Sequence, residues 1–202
     1  RRWDQRGTRY RGHLLVQEAI NGAIDREEKL DILDLGCGTG SLAGFLHSFA
    51  RKLDGVDLST EMLEKSAERK VYDELQEKDL VQFLEETPDS YGLIVSAAVL
   101  IHFGNLETIF SLVRERLKEN GLFVFSLFEA SEDQIELNSF NMYAHSVMYI
   151  EQLAVRFGFE LRHQNRDVHE YHGDCPVMGT VFVLKNCQNS VLPEVSAVEE
   201  VP

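Results

Sequence analysis

Apolar residues along this chain alternate between two rhythms. Over residues 13–24, Leu14, Leu15, Ala19, Ile20 and Ala23 recur at helical spacing, and Asn21 with Gly22 fits a fraying end. Residues 31–35 instead gather their apolar positions into one short run, which predicts a buried strand. Residues 41–51 read as a helix, 53–57 as a second short apolar strand, and 60–70 as a helix opened by the capping residues Ser59 and Thr60. A less apolar strand follows at 72–78, and 91–97, apolar and rich in β-branched residues, predicts a central strand. Asn105 caps a helix running to about Lys118, Asn120 and Gly121 stop it, and 122–127 forms a further buried strand. A helix over 148–157 ends at Gly158, after which 159–166 and 177–185 read as an antiparallel closing pair. This alternation predicts an α/β, Rossmann-like doubly wound sheet with helices on both faces and its ligand at the carboxyl ends of the strands.

The candidate ligand site is residues 33–40, LDLGCGTG, where an apolar strand ending in Asp34 runs directly into three glycines. Gly36, Gly38 and Gly40 let the backbone turn sharply and approach a ligand more closely than any Cβ permits. The helix expected after them would aim free backbone N–H groups and a positive dipole end at that ligand. Spacing narrows the ligand. The dinucleotide fingerprint requires a third glycine where Ser41 stands, and no Lys followed by Ser or Thr closes the loop as a P-loop demands. Asp57, at the end of the second strand, is placed to accept hydrogen bonds from both hydroxyls of a ribose.

LDLGCGTG, then GVDLSTEML, an acidic turn at KDLVQFL, YGLIVSAAVLIHFGNLETIF and ENGLFVFS resemble, in order and spacing, the motifs of class I S-adenosylmethionine-dependent methyltransferases. The resemblance covers roughly residues 31–127. Two further segments, VYDELQEKDL and NMYAHSVMYIEQLAVRFGF, are similar to small methyltransferases of the tetratricopeptide-associated type. The resemblance implies a seven-stranded mixed sheet, mostly parallel with an antiparallel closing strand, and S-adenosyl-L-methionine as cofactor. It also implies site roles. Asp34 would organise the glycine loop near the methionine amino group, while Gly36, Cys37, Gly38 and Gly40 pass their backbone along the methionyl and ribose portion. Asp57 would bind the ribose, Leu58 and Met62 would cover the adenine, and Asp79 with Leu80 would meet its edge. Ser96 and Ala97 would line the opposite wall. Cys37 is expected as a small side chain facing the helix, not as a nucleophile.

Composition restricts the partners. The chain has 202 residues, 44% of them hydrophobic, enough for one substantial core, so residues 1–186 are expected to form a single domain with an N-terminal helical lid over about 1–28. Residues 187–202 hold two prolines and no basic residue, the pattern of a flexible tail. With 34 acidic against 20 basic residues and a net charge of −14, nucleic acid is not an expected partner. Arg1, Arg2, Arg6, Arg9 and Arg11 cluster locally and read as a solvated lead-in. No apolar run is long enough to span a bilayer and no signal sequence is evident, so a cytoplasmic location is expected, with no membrane partner. Cys37, Cys175 and Cys187 are odd in number and far apart, which argues for reduced thiols. A chain beginning at Arg1 is expected to be processed or part of a longer one.

Methyl transfer from a sulfonium needs alignment in a dry pocket, and a base only where the acceptor must lose a proton. Candidates for that base come from the rim: His102 after the fourth strand, and Tyr143 and His145 in the segment joining the fifth strand to the next helix. Tyr10 is expected to close over the cofactor. His169, His172, Asp174 and Cys175 form a cluster, but without a second set at matching spacing they predict a turn rather than a metal site. SAAV after the fourth strand lacks the Asn- or Asp-Pro-Pro-aromatic motif of nucleobase amine and glutamine amide methylation, and Cys175-Pro176 reverses the Pro-Cys of cytosine-5 methylation. A small-molecule acceptor methylated on O or N is therefore the expectation. The alternatives are a cofactor-binding module without turnover and, disfavoured by Ser41, a nicotinamide-dependent oxidoreductase.

Overall fold

The computed structural model describes residues 10–24, 27, 29–130, 135–138 and 140–187. The expected tail beyond Cys187, and the first nine residues with Arg1, Arg2, Arg6 and Arg9, lie outside them. Helix α1, Gly12–Ala23, is followed by β1, Leu30–Leu35, then α2, Ala43–His47, and β2, Ala50–Asp57. Next come α3, Thr60–Ala67, β3, Glu74–Glu77, α4, Leu80–Glu86, and β4, Tyr91–Ser96. A 3-10 turn at Leu100–His102 leads to α5, Glu107–Arg116, and β5, Leu117–Glu129. Two short strands, β6 at Ile135–Leu137 and β7 at Tyr143–His145, precede α6, Val147–Arg156, and the hairpin of β8, Phe159–His172, with β9, Cys175–Asn186.

The main sheet runs β3-β2-β1-β4-β5-β9-β8. Neighbours from β3 to β5 are parallel, while β9 is antiparallel to β5 and to β8. The expected seven-stranded mixed sheet with its antiparallel closing strand is thus present. Order reverses between β1 and β4, the place where a doubly wound sheet opens a crevice at its carboxyl edge. Strands β6 and β7 are an addition: β7 pairs with Phe128 and Glu129, beyond the last β4 partner on β5, Phe125. They extend the sheet over the end of β4.

Three differences from the sequence pattern have local causes. Helix α2 has five residues rather than eleven, because Ser48 Oγ donates to the Phe45 carbonyl and Phe49 folds back edge-on to Phe45, which ends the turn before β2 pairs Ala50 with Leu30. Helix α4 was expected as a turn. Asp79 Oδ1 accepts from Val81 N at 2.9 Å and Gln82 N at 3.2 Å, and Leu80, Phe83 and Leu84 bury one face. The last hairpin is longer than expected: β8 continues past residue 166 to His172, and the cluster read as a turn lies mostly on strand, with Gly173 and Asp174 alone forming the bend.

One face of the sheet is sealed by α4, α5 and α6. Phe110 of α5 is fully buried, and its ring meets those of Phe123, Phe125, Phe157 and Phe159. The opposite face is covered by α1 and α2, whose Val16, Ile20 and Leu46 pack with Ile32, Leu93, Val124 and Val183. The contacts of Phe110 with Phe123, Phe125 and Phe159 are edge-to-face, the geometry aromatic pairs prefer. Phe110→Ala is expected to cost about 3–5 kcal/mol in urea unfolding without changing the slope of the transition.

Candidate functional site

Where β1 ends, the backbone turns through left-handed glycines: Gly36 has φ of 78°, Gly38 of 54° and Gly40 of 72°. Gly36 is the most constrained, since a Cβ there would lie 2.4 Å from Val99 Cγ2. Val99 follows Ala98, which holds a φ of 58° without being glycine, and the Ala98 N–H donates to Ser126 Oγ at 3.0 Å. Strain of this kind collects where loops are fixed for binding. The loop after β1 and the loop after β4 are therefore packed against each other at residues 36 and 99.

A cavity of about 900 Å³ opens between those loops. Its floor is Asp34, Gly36, Cys37 and Gly38; β2 contributes Asp57 and Leu58, and the approach to α4 contributes Lys78, Asp79 and Leu80. Ala97, Ala98, Val99 and His102 form the wall after β4, while Tyr10, His13 and Glu170 close the far side. Of the expected set, Tyr10, Asp34, Gly36, Cys37, Gly38, Asp57, Leu58, Met62, Asp79, Leu80, Ala97 and His102 all line it.

The remaining four do not. Gly40 faces Arg69 and Ser66, and Ser96 is fully buried with its Oγ donating to the Leu35 carbonyl at 3.0 Å. His145 is 2% exposed, its Nε2 2.8 Å from the Gly104 carbonyl and its ring stacked on Tyr149. Tyr143, on the same short strand, packs against Gly104. The pairing of β7 with β5 turns both residues onto the 3-10 turn and away from the cavity, so they brace the wall and do not line it. Glu170, His13 and Lys78 went unrecognised in the sequence. A run of charged residues in β8 hides its strand alternation, and His13 on an amphipathic helix gives no signal of its own.

The electrostatics are set by burial. Asp34 is 3% exposed, and its Oδ2 accepts the Tyr72 hydroxyl at 2.7 Å. Burial pushes its carboxyl up to about 6, opposed by that hydrogen bond and reinforced by Asp57. Asp57 Oδ2 accepts from Gly38 N at 2.8 Å and Oδ1 from Ser59 N at 2.9 Å, which leaves lone pairs on both oxygens. The loop amides are less free than the sequence suggested: Gly36 and Cys37 donate to the Val56 carbonyl and Gly40 to that of Cys37. With α2 only five residues long, the loop offers shape more than a helix dipole. Burial raises the Cys37 thiol well above its ordinary range, so it remains protonated and is no nucleophile. His102 is lowered by burial. Leu58 is 70% exposed at the cavity mouth, an apolar side chain without cover.

The methyltransferase domain family matches residues 6–167. The chain belongs to this family. Its cofactor is S-adenosylmethionine, which sets aside the nicotinamide reading of the glycine loop. The chain is 37% identical over 125 residues to a malonyl-[acyl-carrier protein] O-methyltransferase of Halalkalibacterium halodurans, covering 57% of this chain and 46% of that protein. It spans less than half the length of the first curated relatives it matches. Among solved structures, the 1,6-didemethyltoxoflavin-N1-methyltransferase of Burkholderia thailandensis superposes with a TM-score of 0.71 at 14% identity, covering 87% of this chain and 78% of that one. The magnesium protoporphyrin IX methyltransferase of Synechocystis, with bound S-adenosylhomocysteine, gives 0.68 at 15% identity, over 86% and 82%. At such identities the likeness is one of fold.

The contact between Gly36 and Val99 gives a direct test. Gly36→Ala should destabilise the protein by at least the 1–2 kcal/mol of a left-handed non-glycine residue, through clash as well as backbone strain. Adding Val99→Ala should recover the clash part only, which a double-mutant cycle in urea measures.

Proposed function

We propose that this methyltransferase domain moves the methyl group of S-adenosylmethionine to an O or N atom of a small molecule bound in the half of the cavity walled by Tyr10, His13, His102 and Phe103. The observation that carries the reading is the pair Asp34, near the end of β1, and Asp57, at the end of β2, which flank one glycine loop. A buried carboxylate raised to about 6 beside another carboxylate suits a ligand that brings a positive charge, such as the methionyl ammonium. The spare lone pairs of Asp57 suit the two ribose hydroxyls, and the uncovered Leu58 with Met62 suits the adenine. Asp79 spends Oδ1 on the cap of α4, so its contribution to the adenine edge would come from its other oxygen, beside Leu80. Tyr10 would close the cofactor in: its ring lies 5.2 Å from that of His13 and 5.5 Å from that of His169, against the start of α1.

The named relatives are methyltransferases of malonyl-[acyl-carrier protein], magnesium protoporphyrin IX and 1,6-didemethyltoxoflavin, so family membership leaves the acceptor open. What favours a small acceptor is the size of the cavity, about 900 Å³, bounded in this half by Tyr10, His13, His102 and Phe103. Among the described residues, no helix is long and apolar enough to cross a membrane. The acidic balance of the chain disfavours a polyanionic acceptor.

Calorimetric titration with S-adenosylhomocysteine should show one site per chain, and Asp57→Ala should remove it. No heat with the parent protein would end the reading. A second outcome tests Asp34. Its folded carboxyl is raised above the unfolded value, so the cofactor-free protein holds a proton there below about pH 6, and an incoming ammonium expels it. Titrations at pH 6 in buffers of different ionisation enthalpy should reveal release of part of a proton that vanishes by pH 8. Equal heats in all buffers at pH 6 would show that no cation comes to Asp34.

A further inference from the structure

Strand β8 carries an irregularity beside the cavity. Val168 pairs with Met178 and Glu170 with Val177, so His169 is an extra residue on its strand, a β-bulge. Adjacent strand residues ordinarily face opposite sides of a sheet, yet His169 is fully buried and Glu170 is 1% exposed. Room for the imidazole is cleared by two glycines. A Cβ on Gly12 would lie 2.5 Å from His169 Nε2, and one on Gly179 would lie 2.8 Å from His169 Cβ. The ring is then pinned by Ser126 Oγ at 3.0 Å, the same hydroxyl that accepts from Ala98 N in the wall after β4.

The residue that the bulge delivers to the cavity is a carboxylate. Glu170 Oε1 is hydrogen-bonded to His172 Nε2. Its Oε2 lies 3.9 Å from His169 Nδ1, beyond hydrogen-bond reach. His13 shares this wall, and its Nδ1 is buried without a partner among the described residues. A buried carboxylate and an unpartnered imidazole nitrogen on one cavity wall are the polar groups this half offers to an acceptor. The other groups around Glu170 are the Tyr10 phenol ahead of α1, Arg11, which pairs with Asp167 at 3.9 Å, and His172, whose ring meets Phe140. Val177, opposite on β9, brings no charge.

We propose that Glu170 is the general base of the acceptor half-site, positioned by the bulge at His169, and that the acceptor is a hydroxyl or amine rather than a carboxylate. This rests on the methyl-transfer reading above. The acceptor lone pair forms the bond to the methyl carbon, the carbon–sulfur bond breaks with its electron pair going to sulfur, and the acceptor proton passes to Glu170 Oε2. The proton leaves through Oε1 and His172, whose side chain is 18% exposed and connects the buried carboxyl to solvent. A carboxylate acceptor has no proton to give, and its charge is repelled by Glu170. His169 is a positioning residue.

The test uses the full chain with S-adenosylmethionine and a panel of simple phenols, catechols, amines and carboxylic acids, reading S-adenosylhomocysteine release against pH. Phenols, catechols or amines should be methylated by the parent, and E170Q should lose about 100-fold or more of that rate, recovering it only as pH approaches the acceptor's own ionisation. E170D should keep the parent pH profile at a reduced rate. Calorimetry with S-adenosylhomocysteine should give the same affinity for E170Q and parent, within about twofold, which also verifies folding. Parent-like rates in E170Q, methylation confined to the carboxylic acids, or cofactor binding with no hydroxyl or amine turned over would each overturn the assignment. Failure of the parent to bind S-adenosylhomocysteine would instead overturn the methyl-transfer reading beneath it.

Discussion

The structure depends on a place where no side chain fits. Position 36 must be glycine because Val99, from the loop after β4, occupies the volume a Cβ would need. That contact sets the separation of the two loops between which the cavity opens, and it reaches further than the loops. Val99 is presented by Ala98 in a left-handed conformation, the Ala98 amide is held by Ser126, and Ser126 also holds His169. His169 in turn occupies space left by Gly12 and Gly179 and packs against Tyr10. One contiguous set of contacts thus runs from the glycine loop to the opposite wall. Each link is a close approach that a larger residue would break, so both halves of the cavity share one geometry.

Burial of charge is the second constraint. Asp34 sits at the end of a strand whose neighbours are apolar, and burial there costs most when the carboxyl is ionised. On this group alone, the folded protein loses stability as pH rises from the unfolded carboxyl value towards about 6. His169 acts in the opposite sense: burial and His13 hold it at about 4, so its contribution is lost as pH falls from the unfolded histidine value towards 4. Both groups would be cheaper as apolar residues of similar size. Their retention beside the cavity fits a site that tolerates cost for function.

How much of this was legible in the sequence follows the range of the forces involved. Strands β1, β2 and β4, the three left-handed glycines and the antiparallel closing pair could be read directly, because short apolar runs and glycine spacing are local signals. The cap and buried face of α4 were present too, as Asp79 followed by Leu80, Phe83 and Leu84, yet seven residues are too few for a period to assert itself over a turn. Tyr143 and His145 were misplaced for another reason. Their segment does follow β5, but the pairing of β7 with Phe128 and Glu129, which turns them onto Gly104, exists only in the folded sheet. Glu170 was hidden twice over, once by a strand rich in charged residues and once by a bulge that reverses the face its position would imply.

The placement of charge in the cavity separates affinity from rate. A sulfonium loses its positive charge as the methyl group departs, so a carboxylate held against the sulfur would stabilise the ground state more than the transition state and slow transfer. Carboxylates in such a site help only where charge stays fixed or where it grows. In the proposed arrangement, Asp34 and Asp57 answer to the ammonium and the ribose, which the reaction leaves unchanged, and the Lys78 ammonium at the cavity wall is bonded to Glu86 at 2.8 Å. Glu170 stands at the other end, beside Tyr10 and His13, where an acceptor becoming methylated would turn positive unless its proton were taken. On that proposal the glycine loop governs how tightly the cofactor is held, and the bulged strand how fast it is used.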